Sequence, residues 1–396
     1  MNKPVGQVGM SSSQRSLTTL PALRTLMTLP CADHGVGMTC RSILRGAIEH
    51  GVKADLFTSR SDSTVKEPFP LYQFTPSALQ DLPFSFSRPL SVRTLHKTYL
   101  KALDDNELAY LWPAVPVWIY EELHKRGVRI LTEAINTRMA DAKRILDAAY
   151  EQVGLPAAHG ITDARIATEE LRHSLCTAIF SPSPATDQSL IHSEAQIPFI
   201  PVSYGTNVSA LQAIEPRRSG NGATNFLFLG ASTVRKGLHQ LLEVWRDMPT
   251  TARLRIVGLD DEAFEERYAD VLSQDNVSAA GFTNDVDREY AQADVFVLPS
   301  LEEGDPIVTY EAAARGLPVV ASAVGAGRIG AETGAIVSLD TANIDLFRAR
   351  LLDFANSEEL RRHWGKRARE ASLAYDWRPA TLRRFTALAD FLTTSA

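Results

Sequence analysis

Residues 293–322 contain the pattern that most restricts how this chain can fold. The apolar, β-branched run at 293–300 predicts a parallel strand that is buried on both faces. Helix formers follow at 310–315, and Gly316 and Pro318 end that helix before a second apolar run begins. The order strand, loop, helix, strand places the loop and the helix start at the carboxyl end of a parallel sheet. Unpaired backbone N–H groups and the helix dipole attract phosphate there, so the pattern predicts an anion site.

Two glutamates occupy this unit, Glu303 in the loop and Glu311 on the helix. A glutamate near a helix start often does no more than favour the helix dipole, by about 0.3 to 1 kcal/mol, so each one alone has a structural explanation. Glu311, however, lies about one and a half turns into the helix. A carboxylate at that place can accept two hydrogen bonds from a vicinal diol such as that of a ribose, and Glu303 can reach a second hydroxyl-rich group.

A similar unit opens the second half of the chain. An apolar strand at 225–230 precedes a loop at 231–237, a helix at 238–246 and a strand at 252–258. The loop carries Arg235 and Lys236 before a glycine, which is where a phosphate-binding loop is expected. Such a pair of loop cations is often only solvated charge, and both interpretations stay open from the residues alone.

A third unit begins the first half, with strands at 23–30 and 52–58 around a predicted helix at 40–50. The loop between the first strand and the helix contains Gly35 and Gly37, but Cys40 stands where a dinucleotide fingerprint has its third glycine. The motif is therefore weak for a dinucleotide, and the loop either lines a ligand cleft or forms a plain turn.

Composition limits the function classes. A chain of 396 residues suits two domains, and its 44% hydrophobic and 22% charged residues are those of a globular protein. The net charge of -6 argues against nucleic-acid binding. Cys31, Cys40 and Cys176 lack metal-ligand spacing and are predicted to be free thiols. The polar, Ser-rich start resembles neither a signal peptide nor a membrane span, so a cytoplasmic location is expected.

The second half resembles a known family. A strand ending in Pro-Ser, Glu303-Gly304, seven residues between the two glutamates, Glu311-Ala and Gly-x-Pro-Val-Val together resemble the retaining glycosyltransferases of the GT-B fold, family four, described as glycosyl transferases group 1. Arg235-Lys236-Gly237 resembles the "RKG" of that family. Tyr204-Gly205-x-Asn207 resembles the end of its first domain. The resemblance is tight over 225–340 and loose over the first half.

The resemblance implies an α/β protein of the GT-B fold, with two Rossmann-like domains whose parallel sheets face each other across a cleft. Its expected parts are a flexible leader (1–22), an N-terminal acceptor-binding domain (23–210), a C-terminal nucleotide-sugar donor-binding domain (222–375) and a C-terminal helix (376–396) that crosses back onto the first domain. The polar stretch at 215–225 is the expected connection between the domains.

The resemblance also assigns roles on the donor side. Lys236 is expected to neutralise the donor diphosphate. Ala231 stands where the family usually carries an arginine, and whether Arg235 compensates for it stays open. Glu303, with Lys236, is the expected catalytic pair. Because Pro306 has no N–H, the phosphate contacts of the helix start are expected from the two residues that follow it. The predicted donor-binding residues are Arg235, Lys236, Gly258, Phe282, Thr283, Glu303, Gly304, Ile307, Val308 and Glu311.

The acceptor side is predicted less sharply. Many relatives carry a histidine near a strand end in the first domain, and no histidine occupies that place here. Trp112 is positioned to stack on a sugar, and Glu133 and Asn136 to bind hydroxyl groups, although each also has a structural explanation. The predicted acceptor or cleft residues are His34, Gly35, Gly37, Trp112, Glu133 and Asn136. The amphipathic helix expected at 91–103 packs on the domain or, alternatively, contacts the inner face of the membrane peripherally.

The implied activity is that of a retaining, metal-independent hexosyltransferase of glycan, polysaccharide or glycolipid biosynthesis. Its partners would be a UDP- or GDP-sugar donor and a glycan, lipid-linked or small-molecule hydroxyl acceptor, with no cofactor and no nucleic acid. Alternatives are a GT-B nucleotide-sugar epimerase, a phosphorylase and a degenerate donor-binding subunit. The last of these is motivated by Ala231 and the missing histidine.

Overall fold

A computed structural model of the chain describes residues 17–394 apart from 33, 62–65, 76–83, 194, 214–221 and 232. Two parallel sheets organise the chain. The strands of the first sheet are β1 (Leu23–Met27), β2 (Ala54–Thr58), β3 (Leu71–Gln73), β4 (Leu108–Leu111), β5 (Arg129–Glu133), β6 (Ala178–Ser181) and β7 (Phe199–Pro201). The strands of the second are β8 (Thr224–Leu229), β9 (Ala252–Val257), β10 (Val277–Ala280), β11 (Val295–Leu298), β12 (Val319–Ala321) and β13 (Val337–Ser338).

Helices connect these strands. In the first domain they are α1 (Gly35–Glu49), α2 (Phe84–Ala102), α3 (Val117–Lys125), α4 (Met139–Val153), α5 (Asp163–Ser174), α6 (Pro184–Ile191) and α7 (Val208–Gln212). Those of the second domain are α8 (Leu238–Trp245), α9 (Glu262–Arg267), α10 (Ala269–Leu272), α11 (Val286–Gln292), α12 (Ile307–Ala314), α13 (Gly327–Thr333), α14 (Ile344–Asn356) and α15 (Glu358–Ser372). A 3-10 turn (Leu373–Tyr375) leads into α16 (Trp377–Thr394).

The strand order within each sheet confirms the predicted pair of Rossmann-like domains. The first sheet has the order β3-β2-β1-β4-β5-β6-β7 and the second β10-β9-β8-β11-β12-β13. Both sheets are parallel throughout the described pairings, and the order reverses beside β1 in the first and beside β8 in the second. Ligands bind at such switch points, outside the carboxyl ends of the strands.

The helix α16 crosses back from the second domain and completes the core of the first. It packs along α1, and its Phe385, Leu388 and Ala389 join the buried residues of the first domain. A β-carbon at Gly46 of α1 would lie 2.2 Å from the hydroxyl oxygen of Thr381, so a glycine is needed where the two helices meet. This crossing confirms the prediction for the C-terminal segment.

Several predicted boundaries are wrong for local reasons. The predicted loop at Gly35 and Gly37 is the first turn of α1. A β-carbon on Gly37 would lie 2.5 Å from the backbone nitrogen of Ala32. Glycine at this position therefore lets the helix start close to the end of the strand. Residues 139–174 form two separate helices. Gly154 ends α4 in a left-handed conformation, and the hydroxyl of Thr162 caps α5.

The predicted flexible leader is also too long. Residues 1–16 lie outside the described residues, but Leu17 is buried in the core of the first domain, so the chain is anchored from that point. Most of the predicted connection between the domains, 214–221, likewise lies outside the described residues. Among the described helices, none is long and apolar enough to cross a membrane.

The amphipathic segment at 91–103 forms the second half of α2. Its Leu95, Tyr99 and Leu103 are buried in a cluster with strand residues of the first sheet, whereas Arg93 and Lys97 are exposed. The packing matches the interpretation of a helix docked on its own domain.

Candidate donor and acceptor site

A cavity of about 900 Å³ lies between the two domains at the carboxyl ends of both sheets. The first domain contributes the residues that follow β4 and β5 together with one face of α4 and α5, and the second contributes the loops after β8, β9 and β11. Four of the predicted site residues line it, namely Glu133, Asn136, Arg235 and Gly258. The position agrees with the switch points of the two sheets.

The loop after β8 is shaped by a glycine. Gly237 has φ +71°, and a β-carbon there would lie 2.0 Å from the carbonyl oxygen of Pro299 at the end of β11. This close approach presses the loop that carries Arg235 and Lys236 against the loop that carries Glu303. Gly237, the glycine of the "RKG" motif, therefore allows two loops that are distant in sequence to come into contact.

Glu303 lies at the centre of the resulting cluster. Its Oε1 accepts hydrogen bonds from the ammonium of Lys236 and, at 3.0 Å, from the hydroxyl of Ser300, while Arg235 donates to Oε2 at 3.1 Å. Burial alone would raise the pKa of Glu303, but Lys236 and Arg235 hold it below its ordinary value. The carboxylate is therefore ionised and pairs with both predicted phosphate-binding cations.

Glu311 lies on α12, whose first turn is Ile307 and Val308 after Pro306 at the N-cap. Its Oε2 is 3.1 Å from the hydroxyl of Tyr290, and the guanidinium of Arg315 covers the ring of that tyrosine, 4.3 Å from its centroid. Burial raises the pKa of Glu311. The structure thus fixes one oxygen of this carboxylate through the protein.

The remaining predicted donor residues lie on the surrounding loops. Gly258 has φ +96°, and a β-carbon there would lie 2.9 Å from the backbone of Gly230, so the loops after β8 and β9 touch. Phe282 is 84% exposed after β10, and the hydroxyl of Thr283 accepts a hydrogen bond from the N–H of Asp285. Phe282 offers an open ring face, whereas Thr283 is occupied in a turn.

Two predictions for the acceptor side need correction. Trp112 has 0% exposure and packs edge-on against Tyr110, with ring centroids 5.6 Å apart, so its ring is core and presents no face to a sugar. Its backbone N–H donates to the carbonyl of Leu26 at 3.0 Å, which continues the ladder beyond β4, and its buried indole Nε1 has no hydrogen-bond partner. Asn136 is exposed on the cavity wall, as an acceptor contact requires.

Glu133 lies in the cavity wall, but its carboxylate oxygens already accept hydrogen bonds from other side chains of the protein. Oε1 accepts hydrogen bonds from Arg384 and Tyr110, and Oε2 lies 3.3 Å from the hydroxyl of Tyr204. The predicted role in holding acceptor hydroxyls is therefore wrong. His34 is exposed before α1, where its side chain caps no backbone group of the helix.

Two residues that the sequence analysis did not select hold the domains together beside this cluster. Glu302 accepts hydrogen bonds from the N–H and the hydroxyl of Thr137, at 3.0 and 2.9 Å. Asp305 accepts from the N–H of Tyr204 at 3.0 Å and from the N–H of Arg328 at 3.0 Å. Burial raises the pKa of Asp305 to about 6.

Gly304 lies between these two acidic residues. A β-carbon there would lie 2.0 Å from the carbonyl oxygen of Ile135, so the loop of the second domain touches the first domain directly. The predicted phosphate loop is therefore also a contact between the two domains. Only the unusual position of Glu302 and Asp305 around Glu303-Gly304 could have drawn attention to them in the sequence. No group of three or more His, Cys, Asp or Glu side chains among the described residues could hold a metal ion.

Comparisons with known proteins agree with this arrangement. The two domains with a returning helix are a GT-B fold, shared with the sucrose-phosphate synthase of Thermosynechococcus elongatus (TM-score 0.69, 18% identity, 95% of this chain and 100% of that chain). Anabaena HepE in complex with UDP and glucose has a TM-score of 0.62 at 14% identity, covering 94% of this chain and 100% of that one. Residues 213–371 match the family described as glycosyl transferases group 1. The matched residues make up most of the second domain.

Curated relatives align over limited segments. An uncharacterised glycosyltransferase of Haemophilus influenzae is 38% identical over 93 residues, which are 22% of this chain and 26% of the relative. Sulfoquinovosyl transferase SQD2 of Arabidopsis thaliana is 30% identical over 166 residues, or 40% of this chain and 31% of the relative. The amylovoran biosynthesis glycosyltransferase AmsD of Erwinia amylovora is 27% identical over 38% of this chain and 43% of its own length. The matched segments span less than half of each relative.

Proposed function

We propose that this protein is a retaining glycosyltransferase that moves a hexosyl group from a UDP- or GDP-sugar to a hydroxyl acceptor in glycan biosynthesis. The observation that carries the proposal is the cluster of Lys236, Arg235 and Glu303. Two cations and one ionised carboxylate meet where the carboxyl ends of β8 and β11 face the cavity between the domains.

The proposed chemistry assigns a task to each part of the cluster. In the departure of a nucleoside diphosphate, negative charge grows on the diphosphate, and fixed positive groups lower the barrier most when they are in place beforehand. Lys236 and the backbone N–H groups of Ile307 and Val308 supply that field. In the free protein Glu303 pairs with Lys236. When the donor binds, we expect the ammonium of Lys236 to bind the phosphate as well. We expect Glu303 then to hydrogen-bond the hydroxyl groups of the sugar.

No protein base is assigned. A double displacement of the glycosidase kind needs two carboxylates about 5 Å apart on either side of the anomeric carbon. Glu303 is already paired with Lys236 and Arg235, and Glu311 is tied to Tyr290 on the far side of the helix start. We therefore propose a front-face reaction in which a phosphate oxygen of the departing diphosphate takes the acceptor proton.

Relatives with named activities support a sugar donor and a glycan or glycolipid product. Their names include a sulfoquinovosyl transferase and an amylovoran biosynthesis enzyme, and one structural neighbour, WaaG, is described as involved in lipopolysaccharide biosynthesis. Another neighbour was solved with UDP and glucose. These names favour a transferase over the epimerase or phosphorylase alternatives.

Ligand-induced thermal stabilisation tests the proposal. UDP, GDP, ADP and the corresponding sugars are added one at a time to the whole chain. A true ligand at 100 times its dissociation constant should add about 2.7 kcal/mol to the free energy of unfolding. Slow hydrolysis of the one stabilising nucleotide sugar, persisting in EDTA, is the expected second result. No stabilisation by any nucleotide would overturn the donor assignment, and activity that EDTA abolishes and manganese restores would overturn the metal-free mechanism.

A further inference from the structure

The half of the cavity that belongs to the first domain contains two arginines without an acidic partner. Arg165 and Arg172 of α5 both line it, and neither makes an ion pair with a carboxylate of the described residues. By contrast, Arg138 pairs with Asp141 and Glu170, and Arg235 with Glu302 and Glu303. An arginine in a cavity wall that makes no ion pair is free to bind an anion from solution.

The protein orients these two side chains without neutralising them. Arg172 donates from Nε to the carbonyl of Thr168 at 3.3 Å and from one terminal nitrogen to the carbonyl of Val115 at 3.4 Å. Arg165 donates to the carbonyl of Gly160 at 2.6 Å. Carbonyl groups fix the guanidinium planes but carry no net charge, so each arginine keeps its full positive charge and unused N–H donors.

The acidic side chains of the cavity are already occupied. Glu133 is paired with Arg384, and Glu302 with Arg235 and Thr137. Glu169 faces Arg172 on the same helix, but its Oε2 accepts the N–H of Met139 at 2.6 Å, and burial raises its pKa, which weakens it as a counter-charge.

On the donor side, the carboxylate of Asp261 accepts from the N–H of Phe264 and from the hydroxyl of Thr233, both at 3.1 Å. Asp260 is exposed there and lies on the loop after β9. The acceptor half, built by α4 and α5, therefore has a surplus of positive charge.

A third side chain points to a ligand at the same place. His173 follows Arg172, lines the cavity and is 9% exposed, and its Nδ1 has no hydrogen-bond partner. Burial, and then the charges of Arg172 and Arg138, lower the pKa of His173 to about 4, so the imidazole is neutral at pH 7. An imidazole nitrogen that is buried without a partner is costly, and a ligand hydroxyl that reached Nδ1 would remove that cost.

We propose that the acceptor carries an anionic group, a phosphate or a carboxylate, which Arg165 and Arg172 bind in the cavity wall while His173 hydrogen-bonds an adjacent hydroxyl. The proposal rests on the proposed function, since it names the substrate class of the same cavity. Guanidinium groups suit this task because their planar N–H donors match the oxygens of phosphate and carboxylate in pairs. Their place on α5, opposite the donor loops, leaves the donor diphosphate to Lys236 and Arg235.

Calorimetry with small probes tests the proposal on the whole chain, in the presence of whichever nucleoside diphosphate binds, or without one if none does. The probes are glucose, glucose 6-phosphate and glucuronate. We expect at least one anionic probe to bind at least about tenfold more tightly than glucose, and Arg172→Gln and Arg165→Gln each to weaken it about tenfold to a hundredfold. Glucuronate and glucose 6-phosphate distinguish a carboxylate from a phosphate. Arg144→Gln, an arginine of α4 that is 73% exposed and outside the cavity lining, should leave binding unchanged.

The outcomes separate this inference from the donor assignment. Arg165→Gln changes an exposed residue at the start of α5, so it remains informative if Arg172→Gln fails to fold. Nucleoside diphosphate affinity should be unchanged in both variants. Equal binding of glucose and the anionic sugars, absence of binding by every anionic probe, or full anion affinity in the arginine variants would overturn the proposal. Failure of all nucleotides to bind would instead overturn the proposed function.

Discussion

The guanidinium of Arg384 on α16 donates to the carboxylate of Glu133 at the end of β5, across 251 positions of sequence. Both side chains are almost wholly buried, at 1% and 0% side-chain exposure. Tyr110 and Tyr204 supply further hydrogen bonds to the same carboxylate. The returning helix is therefore joined to the floor of the cavity by charge as well as by apolar packing.

Replacing Arg384 by Met should destabilise the protein strongly. The change leaves Glu133 buried without its counter-charge, and the loss of one partner of a buried ion pair costs about 3 to 5 kcal/mol. Urea unfolding followed by circular dichroism measures it. The exposed Arg378→Met on the same helix is the control and should cost little. Partial recovery in Glu133→Gln/Arg384→Met is expected, and a single variant as stable as the control would contradict the paired-charge interpretation.

Lys236→Ala should weaken nucleoside diphosphate binding about tenfold to a hundredfold, because a charge-assisted contact worth about 1.5 to 3 kcal/mol is lost. The fold should survive, since Arg235 and Ser300 still satisfy Glu303. Calorimetry with UDP and GDP is the measurement. Lys366→Ala is the control, as that ammonium is 78% exposed on α15. Undiminished affinity in a folded Lys236→Ala variant would remove the phosphate assignment.

Glu303→Gln and Glu311→Gln should separate sugar from nucleotide recognition. Glu303 neutralises Lys236 and Arg235 in the free protein, so its loss should leave nucleoside diphosphate affinity equal or higher while turnover falls about tenfold to a hundredfold. Glu311→Gln should weaken binding of the free nucleotide by a similar factor. Equal losses of nucleotide affinity in both variants, or full turnover in Glu303→Gln, would show that this division of roles is wrong.

Gly304→Ala should impair turnover more than stability. Its β-carbon would lie 2.0 Å from the carbonyl oxygen of Ile135, so the variant must move the two domains apart at the mouth of the cavity. Crowding of this kind costs about 1 to 3 kcal/mol. Small-angle scattering should report a more open molecule and kinetics a lower kcat. A compact variant with unchanged kcat would mean that the loop accommodates the methyl group locally.

Acid should destabilise the protein partly through His239 of α8. This side chain is buried without a partner at either nitrogen, and burial lowers its pKa to about 4 from 6.5. Between those values the unfolded state binds the proton and the folded state does not, so the free energy of unfolding falls as pH falls through this window.

Asp305 acts in the opposite direction, since burial raises its pKa to about 6, so a difference between variants is the sharper measure. In His239→Leu, the slope of unfolding free energy between pH 5 and 6 should decrease by about 1.4 kcal/mol per pH unit. Urea titrations at several pH values determine it. The same slope in the wild type and the variant would refute the assignment.

Local sequence patterns predicted the elements well where propensity and burial agree. The helix Leu238–Trp245 and the strand beginning at Leu23 lie where the sequence pattern placed them. The prediction that Trp112 faces the cleft was wrong, because a position at a strand end does not show towards which side a large ring points. Here the ring is buried in the core.

The donor cluster could be predicted because its residues lie close to glycines and strand ends with a regular spacing. The contacts that close the cleft could not be predicted in that way. Glu302 with Thr137 and Asp305 with Tyr204 join residues far apart in sequence, and only the packing of one domain on the other defines them. The arginines of α5 likewise resemble any charged helix face until the cavity beside them is known.

The crossing of α16 also sets an order for biosynthesis. During translation the strands of the second domain emerge before residues 377–394, yet those residues provide the last wall over α1 and the only described cation bound to Glu133. When a nascent chain has just completed β13, its second domain is nearly finished. Its first domain still lacks α16, so the apolar surface over α1 and the carboxylate of Glu133 are still uncovered. The earlier-made domain matures last, and any pause of the ribosome over this stretch prolongs the exposure of a surface that the finished protein never shows.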